Sequence, residues 1–318
     1  MKRHFITYIV VLTLLMVAVT VASAQLRLPR SSQKASVMQA IGVTDITITY
    51  HRPGVKGRPI FADAPKSMVD RAKGQATLDN SFERKPGEPI VPYGYMWRTG
   101  ANDATQFVVT DDVMINGQKL AAGSYSLHTI PGKTEWTIIF NGTANQWGSF
   151  NYDPSKDTLR VKATPIKEKV EQEWLMFSFD SVTDNSAIVN MRWEKVRVPF
   201  TVTVDVVGTS LAKARTTVAA APADNWQIPF GAGNYAIQNN AKDEGMKWLE
   251  TALPRVEAAI MKGETYGNLA ARANILLSLG RKEEGLAAAD KAIAKGKADK
   301  ANTTALETRV ADIKAGKQ

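Results

Sequence analysis

A change of period at Asp205 divides this chain into two kinds of fold before any other feature is considered: earlier apolar residues alternate, later ones recur at helical spacing. Alternation marks a strand with one buried and one wetter face. Ile46, Ile48 and Tyr50 alternate with Thr47 and Thr49, Leu159 and Val161 with Arg160 and Lys162, and Val198, Phe200, Val202 and Val204 with Thr201 and Thr203. Turn signals separate such runs from Val43 to about Val207. Asn116-Gly117 lies between two short runs, Pro131-Gly132-Lys133 precedes Trp136, and Asn141-Gly142 follows Ile138-Ile139-Phe140. Asn-Gly supplies the positive φ of a type I′ hairpin turn. Strands this closely spaced predict a mainly β N-terminal domain at 25–210, an antiparallel sandwich or an open barrel. Residues 62–89, with Pro65, Pro86 and Pro89 among many charges, read as a long surface loop with one helical turn near Ser67–Lys73.

Thr216 to Ala223 lacks both amphipathic period and bulk, so 211–224 reads as an interdomain linker. Residues 233–253 and 264–295 are rich in Ala, Leu, Glu and Lys, with Tyr235, Met246, Leu249 and Leu253 at helical spacing. They predict an all-α, helical-hairpin C-terminal domain at 225–318. A weak repeat aligns Gly245–Leu253 with Gly285–Ile293, 40 residues apart. Two helix-turn-helix units of this kind resemble a tetratricopeptide pair, whose usual period is about 34 residues. A small helical bundle packed on the β domain is the alternative.

The first 24 residues read as an export signal. Lys2, Arg3 and His4 give a positive start, Phe5 to Val21 is almost unbroken apolar sequence, and Ala22-Ser23-Ala24 supplies a cleavage site. Such a run lies at the lower edge of what spans a bilayer, which makes an uncleaved anchor the alternative. The small residues and the polar Gln25-Leu26-Arg27 favour cleavage, an exported protein in the periplasm or outside the cell, and no membrane span afterwards. The chain has no cysteine, which excludes a lipid anchor at the cleavage point, disulfides, thiolate nucleophiles and cysteine metal sites. Its formal charge of +9 falls to +7 without Lys2 and Arg3. For an exported chain this excess reads first as diffuse surface charge for solubility, and as a partner signal it points to anionic glycans, phosphates, carboxylates or the envelope rather than to nucleic acid.

Four clusters carry possible chemistry. Tyr50-His51-Arg52-Pro53 with Lys56-Gly57-Arg58 places cations on a turn, which reads either as an edge turn kept soluble by charge or as a site where Arg52 and Arg58 suit a carboxylate or phosphate. Val91 to Asn102 sets Trp97, Arg98 and Asn102 in a segment that no amphipathic pattern explains; Trp97 reads as core or pocket wall, Arg98 and Asn102 as ligand contacts. In Gly123–Gly132, Tyr125, Leu127 and Thr129 face one way and Ser124, Ser126, His128 and Ile130 the other, so His128 shares its face with hydroxyls. Asn141–Tyr152 is a polar loop in which Trp147 serves a carbohydrate-binding lip or a hydrophobic plug. No G-x-S-x-G occurs, and His51 and His128 form no H-x-H or H-E-x-x-H pair, so neither a nucleophile elbow nor a metal site is predicted.

These clusters, in this order, are similar to the DUF2911 family of exported bacterial proteins from about Gln33 to Asp205. The resemblance rests on SSQKASVMQAIGVTDITITYHRPGVKGRPIF, VPYGYMWRTGANDAT, INGQKLAAGSYSLHTIPGKTEWTIIFN, NQWGSFNYD and RVPFTV. It implies an exported β-rich domain, often followed by a helical repeat tail, and assigns no activity. The lengthened 62–89 loop and the irregular repeat spacing depart from that pattern.

The leading expectation is a non-enzymatic module that binds a small anionic or carbohydrate ligand through Arg52, Arg58, Trp97, Arg98, Asn102 and His128, without a cofactor, and docks a protein partner through its helical tail. In that scheme the arginines pair the anionic part, Trp97 stacks on a ring, and Asn102 and His128 set orientation. One alternative is a hydrolase of envelope glycans or esters with His128 as base and Asp103 or Glu135 as its partner. The other is a scaffold in which the aromatic and Arg clusters are fully packed.

Overall fold

The structure, a computed structural model, describes residues 28–66, 77–81 and 84–317. The export segment and the helical turn expected near Ser67–Lys73 lie outside the described residues. The β domain is an open sandwich of two antiparallel sheets. Six strands form the first sheet, in the order β1 (Gln33–Ile41), β2 (Thr44–Arg52), β5 (Thr105–Val109), β8 (Gly123–Ile130), β9 (Trp136–Asn141) and β10 (Asp157–Ala163). The second runs β11 (Ile166–Asp180), β12 (Ser186–Thr203), β6 (Val113–Ile115) and β7 (Gln118–Leu120). A two-residue parallel pair, β3 (Phe61–Ala62) with β4 (Val91–Pro92), stands beside them.

The alternating residues fill the space between the sheets. Ile46, Ile48, Tyr50, Phe107, Leu127 and Phe140 meet Phe177, Trp193, Phe200 and Val202 in one buried cluster. Each such side chain contributes about 1.5–3 kcal/mol of transfer free energy. The expected type I′ turn joins β6 to β7, with Asn116 at φ 47° and Gly117 at φ 79°. Asn141-Gly142 behaves otherwise. It opens a long excursion before β10, because the Asn141 amide donates to the Asp153 carbonyl and the Asp157 carboxylate and so anchors the loop.

The outward face of the six-stranded sheet is polar. Its register sets Lys34 beside His51, Thr49 beside Gln106, and Ser126 between Gln106 and Asn141. The loop after Asn141 folds over this face, where the Gln146 amide donates to Ser126 Oγ and the Tyr152 ring packs edge-on against His128.

Residues 62–89 are more than a surface excursion. Thr77 and Leu78 are buried, the Leu78 N–H donates to the Met96 carbonyl, and a single helical turn, α1 (Leu78–Ser81), inserts beside the loop that carries Trp97 and Arg98.

The segment expected as linker is helical as far as Ala220, in α2 (Val206–Ala220), which the Asp205 side chain caps through the Gly208 N–H. Its apolar pattern is faint because Leu211 is the one fully buried residue in it, while its alanines favour helix regardless of period. Lys213 ties α2 to the sandwich by donating to the Val43 carbonyl and to Asp111. Five further helices follow: α3 (Gln227–Gln238), α4 (Lys242–Lys262), α5 (Tyr266–Ser278), α6 (Lys282–Ala298) and α7 (Thr304–Lys314).

The 40-residue repeat has a structural counterpart. Both α3 and α5 end in a left-handed residue, Asn240 at φ 64° and Gly280 at φ 78°, followed by an N–H that reaches back across the turn, from Ala241 to Ala236 and from Arg281 to Leu276. Gly245 and Gly285 then let α4 and α6 approach their partners closely, against Ile237 and Leu277.

Candidate functional site

The fold brings Arg58, Trp97 and Arg98 to one cleft of about 310 Å³, with Lys56, Arg84, Asp79 and the backbone of Pro53-Gly54 also lining it. Its entrance turn forms because Lys56 and Gly57 both adopt positive φ, 50° and 68°. Arg58 is braced there, donating through Nε to the Val55 carbonyl and through an Nη to the Gly54 carbonyl. The rest of its five donors face no carboxylate: among the described residues neither Arg58 nor Arg84 forms an ion pair. Burial and then the neighbouring Arg58 charge push the Arg84 guanidinium below its ordinary value, against the pull of Glu88.

Arg98 is held differently. One Nη lies 2.8 Å from Asp79 and another donates to the Asn102 carbonyl. Asp79 also accepts from the Ser149 N–H at 2.7 Å and from Ser149 Oγ at 2.6 Å, so its carboxylate is fully engaged. Trp97 is 4% exposed and stacks on Trp193 with ring centroids 5.5 Å apart. Its indole N–H donates to the Gly100 carbonyl. It is core and cleft wall together, with no open face for the ring-stacking role expected of it.

The other expected residues lie apart from this cleft. Arg52 Nε donates to the Leu175 carbonyl and pins β2 to β11. Asn102, at φ 58°, spends its amide on the Ser32 carbonyl. His128 is fully buried beneath the Asn141–Tyr152 loop, with Nε2 3.0 Å from Ser126 Oγ and Nδ1 without a hydrogen-bond partner. Burial holds its pKa down at about 4 against the pull of Asp157 and Asp79, so near neutrality it is an uncharged imidazole. The partners expected for a His128 base stand elsewhere. Asp103 faces His51 at 3.7 Å, and Glu135 pairs with Lys162 at 2.7 Å. The expected pairing of His128 with Asp103 or Glu135 is therefore not assembled.

Arg84 and Asp79 are the lining residues that sequence reading missed. Both lie in the 62–89 stretch, where proline and charge speak of exposure, and nothing local signals that α1 docks beside Arg98. Among the described residues, no group of three or more His, Asp or Glu side chains is placed to hold a metal ion, and no helix is long and apolar enough to cross a membrane.

A family model described as protein of unknown function (DUF2911) matches residues 32–202. No curated protein and no solved structure matches the chain.

Proposed function

The chain belongs to the DUF2911 family, and we propose that it is an exported, non-enzymatic module whose basic cleft binds a small anionic ligand. The observation that carries this reading is the charge of the cleft: Lys56, Arg58, Arg84 and Arg98 line it with one carboxylate, Asp79, which is spent on Arg98 and Ser149. Cations gathered with so little counter-charge repel one another, and a carboxylate or phosphate relieves that cost through charge-assisted, bidentate contacts. The export signal read from residues 1–24 supplies the location, and the paired helical hairpins supply a surface for a protein partner.

Thermal unfolding of the chain from Gln25 onward, in inorganic phosphate, pyrophosphate, citrate and succinate, tests the reading. A native-state ligand raises the melting temperature with concentration. The expected result is a rise with at least one of these anions that is lost in both Arg58→Ala and Arg84→Ala. No rise with any of them, or a rise that both variants retain, overturns it.

A further inference from the structure

A second concavity, of about 380 Å³, lies on the polar face of the six-stranded sheet and is independent of the basic cleft. Its floor is set by register: Lys34 beside His51 on β1 and β2, and Thr49 beside Gln106 on β2 and β5. Its walls are the Asp103-Ala104 turn and the Asn145–Trp147 loop. These are stapled together by the bridge between Asp103 and Trp147 and by the Ala104 N–H donating to the Gln146 carbonyl.

Three features of this groove remain unaccounted for by packing. His51 is 6% exposed and lines the groove, yet its ring makes no hydrogen bond among the described residues; the nearest polar partner is Asp103, at 3.7 Å. Trp147 is half exposed, an unusual state for the largest apolar side chain. Lys34 forms no ion pair among the described residues, and the Asp103 carboxylate is half exposed.

Arg30 spans the opening in an informative way. Its guanidinium lies 5.0 Å from the centre of the Trp147 ring and 3.7 Å from Asp103. A cation thus sits over the indole and within ion-pair distance of the carboxylate at once. Arg30 is itself half exposed.

We propose that this groove is a carbohydrate site that takes one pyranose ring, with the Trp147 indole under the C–H face of the sugar and Asp103, His51, Gln106 and Asn145 on its hydroxyls. A pyranose matches the site in kind, because it has one apolar face and an edge of hydroxyls that both donate and accept. Asp103 accepts from hydroxyls; Gln106 Nε2 donates to Asn145 Oδ1 at 2.9 Å, which leaves the Gln106 oxygen to accept and the Asn145 amide to donate; and a neutral imidazole does both. Burial holds His51 below its ordinary pKa although Asp103 pulls the other way, which keeps it in that neutral form. The floor that carries His51 and Gln106 is strand rather than loop, so these two groups are held before the ligand arrives.

The test is a glycan array of neutral hexose, N-acetylhexosamine and hexuronate oligomers probed with the chain from Gln25 onward. The best binder is then titrated while the tryptophan indole N–H signals are followed by NMR, with the Trp147 signal identified by its loss in Trp147→Ala. The expected result is binding that moves the Trp147 signal and weakens at least tenfold in Trp147→Ala and in Asp103→Asn, but stays within twofold in Arg58→Ala. Trp147 stands at the surface, so its truncation leaves the sandwich core whole. Asp103→Asn keeps the side-chain shape and is the second measure if Trp147→Ala does not fold. No binding on the array, or binding that neither groove variant weakens, overturns the proposal. Loss in Arg58→Ala alone assigns the sugar to the basic cleft and overturns it equally, whereas failure of the anion screen leaves it standing.

Discussion

Arg98 and Asp79, 19 positions apart in sequence, form a 2.8 Å ion pair that fastens the α1 turn to the cleft. Asp79 is about one-tenth exposed and Arg98 about one-fifth, so water screens the pair only in part. Removing one partner of such a pair leaves an uncompensated charge and loses the bonds to Ser149 as well. Asp79→Ala is expected to destabilise the protein by about 3 kcal/mol, the low end for a buried pair because Arg98 keeps some solvent. Urea unfolding measures this, and Asp79→Asn, which retains an acceptor for Ser149, is expected to lose less.

The buried His128 makes stability depend on pH. Its pKa falls from 6.5 to about 4 on folding, chiefly through burial. Above pH 6.5 the imidazole is neutral in both states. As pH falls from 6.5 to 4 the unfolded chain takes up a proton that the folded chain refuses, so stability is lost across that window and no further below it. The full effect is about 3 kcal/mol. His51, shifted in the same direction, adds to the slope. Unfolding free energies measured between pH 7.5 and 4 are expected to fall less steeply in His128→Gln than in the wild type.

Lys213 helps to latch the helical tail to the sandwich, beside the packing of Val206 on its core. Lys213 Nζ lies 2.6 Å from the Val43 carbonyl oxygen and 2.7 Å from Asp111. Burial raises the Asp111 pKa, but hydrogen bonds from Lys213, Thr44 and Thr110 outweigh it and hold the carboxyl below its ordinary value, so the latch outlasts mild acid. Lys213→Ala is expected to remove about 1 kcal/mol of local stability. Amide exchange should then quicken about fivefold in α2 while α5 and α6 stay unchanged.

Close helix contact in the first hairpin depends on paired glycines. A Cβ on Gly245 would meet the Gly233 carbonyl oxygen and Ile237 Cγ1, each at 2.7 Å, and a carbonyl cannot move aside. Gly245→Ala gains about 1 kcal/mol of helix propensity, yet overpacking at about 1–3 kcal/mol is expected to outweigh it. Gly285→Ala meets mainly the Leu277 side chain, at 2.6 Å, which can turn. Its melting temperature is expected to drop less than that of Gly245→Ala.

The face of His128 was legible because side chains alternate along a strand, and Ser126 Oγ does lie on its Nε2. Its burial was not legible, since the covering loop belongs to Asn141–Tyr152 and reaches it through Gln146 and Tyr152. Trp97 stood as core or wall from its residue type. That Trp193, nearly a hundred positions later, takes its face is a matter of how the two sheets meet. The stretch at Thr216 misled because a helix with one buried residue leaves almost no period.

Local chemistry thus governed what could be read from residues alone. Alternation at Ile46-Ile48-Tyr50 and the positive φ of Asn116-Gly117 follow from backbone sterics within a few residues, and the helical hairpins follow from alanine and leucine at their own spacing. The basic cleft and the polar groove belong to the tertiary structure. Arg58, Arg84 and Arg98 meet only because α1 docks beside the Trp97 loop, and His51, Gln106 and Trp147 only because strand register and a stapled loop place them together. Such meetings depend on contacts between residues far apart in the chain, whose loop-closure cost is met by burial in the whole sandwich rather than by any segment.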